Sequence, residues 1–222
     1  PFQMTLRGRV RESMLFGPNL ELVTEISTTP GADSFTIRDV VVNRGGTRQE
    51  FQLLYHFNFG VPLLDKLTSL KAPLEAVAPF NARAAKDLKN FNSFNDPTPG
   101  YVEQVYLMKP LADEKGNTTV LLLRSDSAVG CSLTYSLKQL PYLTLWKNTG
   151  AREDGYVIGI EPGTSYPNRR QVERQAGRVP TLGPGEKQEA VVEVQLHGDE
   201  RSLLGAVRRI REIQGERKIK LE

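Results

Sequence analysis

The strongest constraint on this chain is its cadence. Short runs rich in β-branched and aromatic residues recur along most of its length, each closed off by Gly, Pro, Asn or Asp. Such runs suit a pleated, half-buried surface and such punctuation supplies turns, so the pattern reads as all-β, a sandwich or barrel of short strands. The runs at residues 2–11, 20–27, 34–43, 50–58, 101–108, 118–124, 131–137, 142–147, 156–161 and 188–196 make ten strands, mostly antiparallel. "NRGGTR", "DEKGN" and "REDG" lie where hairpins need residues tolerant of tight backbone turns. In "SFTIRDVVVN" the alternation puts Phe35, Ile37, Asp39 and Val41 on one face and Thr36, Arg38, Val40 and Val42 on the other. Neither face is cleanly polar, which predicts packing on both sides of that sheet.

Two stretches lack a strong period. Residues 66–100 read as an extended loop with one or two helical turns near 82–88, and residues 162–185 as an irregular connection ending in the turn "LGPGEK". Only the C-terminal part is helical in pattern. Over 200–214, Leu203, Leu204, Val207, Ile210 and Ile213 fall on one face, with Asp199 as N-cap and Gly215 as stop. No repeat, low-complexity tract or linker divides the chain, so residues 1–222 read as one domain.

Composition narrows the function classes. No apolar run approaches the roughly 20 residues of a membrane span, and the opening "PFQMTLRGRV" lacks a secretory hydrophobic region, so the expected setting is cytoplasmic, away from membranes. One cysteine, Cys131 in "GCSLTYSL", excludes an internal disulfide or a cysteine cluster for zinc and reads as a small buried hydrophobe. The net charge of +3 resides in residues 200–222, with 7 Lys and Arg against 4 Asp and Glu, and the remainder is balanced. A charged face on a solvated helix accounts for that excess, so nucleic acid is not the expected partner. There is no Walker loop, GxGxxG, GxSxG or HExxH, and the chain holds only two histidines. No cofactor and no metal is expected. What remains is acid and base chemistry by carboxylates and a histidine, or binding alone.

His56 in "LLYHFNFGVPLL" is the first candidate. In an extended strand Leu54, His56 and Asn58 share one surface, while Tyr55, Phe57 and Phe59 form an aromatic layer behind it. An imidazole can give or take a proton near neutrality and an amide can orient a polar ligand; a satisfied core or turn histidine is the other reading. Glu161 in "YVIGIEPGTSYPN" ends an apolar strand just before Pro162, which should stop the pairing. Buried there, its pKa would rise as a general base requires; otherwise it faces water or pairs with Arg169 or Arg170. Trp146 and Lys147 in "LTLWKNTG" offer a stacking platform and a donor for a sugar, or Trp146 is core. Glu103 and Gln104 form a polar pair in "YVEQVY", lining a pocket or marking an edge. Arg124, Asp126, Asn168 and Arg170 are polar residues at loops and strand ends, and His197 reads as structural.

"NRGGTRQEFQLLYHFNFGVPLL", "YVEQVY", "LPYLTLWKN", "GYVIGIEPGTSYPN" and "LGPGEKQEAVVEV", in this order over most of the chain, resemble the aldose 1-epimerase (galactose mutarotase) superfamily, and within it the DUF4432 family. The resemblance implies an antiparallel β-supersandwich with a sugar held in a cleft on one sheet. It further implies ring opening in which Glu161 takes the anomeric hydroxyl proton and His56 protonates the ring oxygen. Asn58, Glu103, Trp146, Lys147, Asn168 and Arg170 become the expected sugar contacts, although the family's hydroxyl-binding Asp has no matching residue here and Glu103 is only a stand-in for it. The family's upstream His and Arg have no counterpart before "LRGRVRE", so residues 1–222 are expected to be a galactose mutarotase-like domain without its N-terminal strands.

Three readings compete on this basis. A mutarotase-type isomerase acting on an aldose needs His56 and Glu161 to face one cleft, roughly 5 to 7 Å apart if a sugar ring lies between them. An inactive carbohydrate-binding module needs only an aromatic floor, from Trp146 or Tyr101. An interaction protein would present the basic C-terminal helix to an acidic partner.

Overall fold

The computed structural model describes residues 2–124, 126 and 129–222. The alternating runs form two packed sheets. One has the order β1 (Met4–Ser13), β2 (Asn19–Thr28), β3 (Ser34–Asn43), β14 (Lys187–His197), β10 (Val129–Ser136), β9 (Asn117–Arg124) and β6 (Thr68–Lys71). The other runs β15 (Lys220–Leu221), β7 (Leu74–Pro79), β8 (Gln104–Pro110), β11 (Tyr142–Asn148), β12 (Val157–Gly163) and β5 (Phe57–Phe59). A small pair, β4 (Gln49–Glu50) with β13 (Thr181–Leu182), closes one end. All neighbours are antiparallel except β15 with β7.

The inward residues of both sheets make one core. Val120, Leu122, Leu133 and Val192 from the first meet Tyr106, Met108, Leu143, Leu145, Ile158 and Ile160 from the second. Phe35 packs against this core, while its face-mate Asp39 is buried and accepts a 2.5 Å hydrogen bond from the Tyr55 hydroxyl. That bond explains how an acid fits an inward position of β3. Cys131 is buried, and loss of hydration pushes its thiol up to about 11. Helix α3 (Glu200–Gln214) lies outside the larger sheet, with Leu203 and Ile210 on Leu121. The Asp199 side chain accepts from the Ser202 amide, and Gly215 takes the positive φ of a helix stop.

Four local expectations need correction. The region 66–100 contains β6 and β7 as well as α1 (Ala82–Lys86) and a single 3-10 turn at Leu88–Asn90. The run 50–58 is not one strand. Only its ends form strands, with Leu54 an isolated bridge to Gly163 between them, because there the chain crosses the end of β12, with the Tyr55 amide on the Pro162 carbonyl at 2.9 Å and the Leu53 amide on Thr164 Oγ1 at 2.9 Å. Pro162 does not stop β12, which continues to Gly163, since its carbonyl still accepts although its nitrogen cannot donate. The connection 162–185 holds α2 (Arg170–Gln175) and β13.

Candidate functional site

The outer face of the six-stranded sheet gathers the polar residues. On β12 the apolar Ile158 and Ile160 point to the core, leaving Val157, Gly159 and Glu161 outward. On β11 Leu143 and Leu145 point inward and Thr144 and Trp146 outward. Register then places Asn58, Gly159, Trp146 and Val105 in one row across four strands, with Thr144 and Glu161 paired in the next. Alternation along 53–59 survives the irregular backbone. Leu53, Tyr55, Phe57 and Phe59 pack on the core, and Leu54, His56 and Asn58 are exposed.

Here His56 Nε2 and Glu161 Oε1 meet at 2.9 Å. The carboxylate is buried, 4% exposed, whereas 47% of the imidazole side chain is open to solvent. Burial pushes the Glu161 carboxyl above the usual carboxylate range, and the His56 charge pulls partly against it. The expected gap for a sugar ring between the two is absent, because both lean over a position without a side chain. A methyl group on Gly159 would lie 2.6 Å from Glu161 Oε1 and 2.9 Å from His56 Cε1. Gly159→Ala should therefore push the mobile imidazole off the carboxylate and cost about 1–3 kcal/mol. Imidazole ¹⁵N NMR, simple in a chain with two histidines, should show loss of the Nε2 contact with the carboxylate.

Trp146 stands edge-on to His56, ring centres 5.5 Å apart, and its indole N–H donates to Glu103 Oε2 at 2.7 Å. Asn58, His56, Glu161 and Glu103 thus share one outward face with the Trp146 ring, all on or beside strands of the same sheet. Thr144, the register partner of Glu161, is buried with its hydroxyl unpaired among the described residues. A donor is thereby kept within cross-strand reach of the carboxylate.

Other expected contacts lie elsewhere. Lys147 follows Trp146 and so points the opposite way, into the core, with Nζ on the Asn90 carbonyl at 3.1 Å and over the Phe94 and Tyr106 rings. Burial pushes its pKa down to about 8, against the pull of Asp87. A base with a depressed folded pKa costs stability while it must be charged, and that cost fades as pH rises from about 8 towards its ordinary value. Lys147→Met should accordingly gain up to about 3 kcal/mol at pH 7 and lose the rise in stability between about pH 8 and pH 10.5. Denaturant midpoints of both proteins across that window read it directly.

Asn168 and Arg170 are occupied structurally. The Asn168 amide donates to Glu173 Oε1 at 2.7 Å, and Arg170 Nε donates to Gln52 Oε1 at 3.0 Å. Gln104 turns to the core, bonded to Tyr106 and Asp87, on the face opposite Glu103. Arg124 ties Asp65, Asp126 and the Pro62 carbonyl together. His197 shares hydrogen bonds with Ser132 at 2.9 Å and Ser202 at 2.6 Å, fastening α3 to the sheet. Sequence reasoning missed Gly159 and Thr144. An isolated glycine in a strand is a legible sign of close approach, but an unpaired threonine has no sequence signal.

Among the described residues no three His, Cys, Asp or Glu side chains gather to hold a metal ion, and no helix is long and apolar enough to cross a membrane.

Residues 1–196 match the model of a domain of unknown function, DUF4432. The structure is similar to that of a candidate aldose 1-epimerase from Klebsiella pneumoniae, 36% identical, with a TM-score of 0.97 over 100% of this chain and 58% of that one. This chain therefore spans less than two thirds of that protein. A galactose mutarotase-like protein from Clostridium acetobutylicum (18% identity, TM-score 0.59, 89% of this chain and 62% of that one) shares the fold. So does a candidate aldose 1-epimerase from Escherichia coli K12 (12%, 0.56, 89% and 66%). No curated protein matches the sequence.

Proposed function

The chain belongs to the DUF4432 family, and from that premise we propose that it binds a sugar against the Trp146 face and interconverts its anomers by acid and base ring opening at Glu161 and His56. The observation that carries this reading is the 2.9 Å contact of a buried carboxylate with a half-open imidazole beside the indole ring. The Klebsiella and Escherichia coli proteins are themselves described as candidate aldose 1-epimerases, which supports the same chemistry.

Ring opening moves one proton between two oxygens on the same carbon. The Glu161 carboxylate takes the proton of the anomeric hydroxyl; that oxygen becomes the carbonyl oxygen, the bond from the anomeric carbon to the ring oxygen breaks, and its electron pair stays on the ring oxygen. The imidazolium of His56 protonates the ring oxygen. Rotation about the adjacent carbon–carbon bond turns the other carbonyl face to the hydroxyl, and the reverse transfers close the ring. Because the two oxygens are geminal, a base and an acid in mutual contact can serve both once the sugar parts them, and groups on opposite sides of the ring are not required. Burial makes Glu161 a stronger base than a solvated carboxylate, as the weakly acidic anomeric hydroxyl demands.

Trp146 is the chain's single tryptophan, so its fluorescence reports the site alone. Titration with neutral and anionic aldoses should change that fluorescence for at least one sugar, and the same sugar should mutarotate faster with protein present, followed by optical rotation. Binding without acceleration would instead favour a sugar-binding module, for which Trp146, Asn58 and Glu103 suffice.

A further inference from the structure

Glu103 stands just before β8 begins, and hydrogen bonds on either side fix the backbone there. Asn81, the N-cap of α1, donates from its side-chain amide to the Glu103 carbonyl at 3.2 Å, and the Phe80 amide donates to the Val105 carbonyl at 2.8 Å. Gln104 turns to the core, so alternation sends the Glu103 carboxylate out over the sheet. There Oε2 accepts the indole N–H of Trp146 at 2.7 Å, a length typical of a bond to a charged acceptor. An indole has a broad torsion about the bond to its ring, and this hydrogen bond selects one setting. In that setting the ring stands against His56, with centres 5.5 Å apart and planes at 63°.

His56 depends on that wall. Its side chain is half open to solvent, Gly159 beneath it has no side chain, and its one polar contact among the described residues is Glu161 Oε1. An imidazole so open keeps one place only if something packs it there, and Trp146 is the ring that does so. We propose that Glu103 is a positioning residue: it clamps the Trp146 indole against His56 and so holds the imidazole on Glu161, and it is not itself the sugar contact that the resemblance implies. Its effect on rate rests on the ring-opening reading; its effect on the place of His56 does not.

A reacting group displaced by about 1 Å can cost 10²-fold in rate, whereas losing a contact made equally in ground and transition states raises KM and leaves kcat alone. Glu103→Ala, at an exposed position, should therefore lower kcat about 10–100-fold while KM changes less than about twofold. Glu103→Gln, whose side-chain carbonyl still accepts the indole N–H, should keep kcat within about threefold of wild type. Two NMR signals read the clamp without turnover, in a chain with one tryptophan and two histidines. In Glu103→Ala the indole N–H proton should move upfield and exchange faster with water, and the His56 ring protons should shift as the indole ring current leaves them, while those of His197 stay in place. Glu103→Gln should keep both signals near their wild-type positions. A raised KM with unchanged kcat would make Glu103 a sugar contact and overturn the proposal, as would His56 ring protons that ignore Glu103→Ala. If the wild type opens no ring while both signals move as expected, ring opening fails and the clamp stands.

Discussion

Replacing Glu161 by Gln is expected to lower anomer interconversion by about 10²–10⁴, the usual worth of a positioned general base, with no loss of thermal stability. Gln keeps the shape and the place beside His56, but takes no proton from the anomeric hydroxyl. The sign on stability follows from the raised pKa of Glu161. A carboxyl whose folded pKa lies above its unfolded value favours folding in acid and loses that contribution as pH rises through the folded pKa. At neutral pH the charged form is carried at a cost, so removing it should hold or raise Tm. The same shift sets the pH dependence of activity. The acid limb of kcat/KM should lie above the range of an ordinary carboxylate, and a limb at an ordinary carboxylate value would remove Glu161 from the role of base.

Glu173→Ala should bring the largest loss of stability, about 3 kcal/mol or more. Glu173 is fully buried in α2, and its carboxylate accepts two 2.7 Å bonds from Arg178, one at 2.7 Å from the Asn168 amide and one at 3.1 Å from the Tyr166 amide. Truncation leaves the largely buried Arg178 guanidinium without its acid and releases residues 164–178. Burial alone would raise this carboxyl, but the Arg178, Asn168 and Tyr166 hydrogen bonds outweigh it and hold the pKa below the usual range. The stabilisation is therefore present above the unfolded pKa and is lost as pH falls through the folded one, opposite in sign to Glu161. The gap in Tm between wild type and Glu173→Gln should shrink in acid. A constant gap would mean that the carboxylate charge contributes nothing.

The contrast between these two acids shows what was legible in the sequence. Glu161 could be found because its strand alternates: Ile158 and Ile160 fix the core face, so the acid must look out beside Gly159. His56 yielded to the same period even though its segment is not a regular strand, since the aromatic residues at 55, 57 and 59 alone decide which way the intervening side chains point. The sandwich and the capped helix α3 were likewise written in local periods and turn residues. Glu173 was not legible, because its partners come from a loop whose path depends on tertiary packing, and the same blindness cast Asn168 and Arg170 as ligand contacts. Lys147 illustrates a different failure. Its neighbour Trp146 is outward, and on a strand that alone should have sent Lys147 inward. The contact distance between His56 and Glu161 depends on a missing side chain in a neighbouring row, which no spacing along the chain reveals.

The most direct test of the central claim is saturation-exchange NMR of α and β anomers over a panel of neutral and anionic aldoses, with the wild-type chain at equilibrium. Saturating one anomer should diminish the signal of the other for at least one sugar, at a rate above buffer that falls to the buffer value with Glu161→Gln. If every sugar exchanges at the buffer rate with wild type, including those that perturb Trp146 fluorescence, the face is a binding surface and the dyad does not open rings.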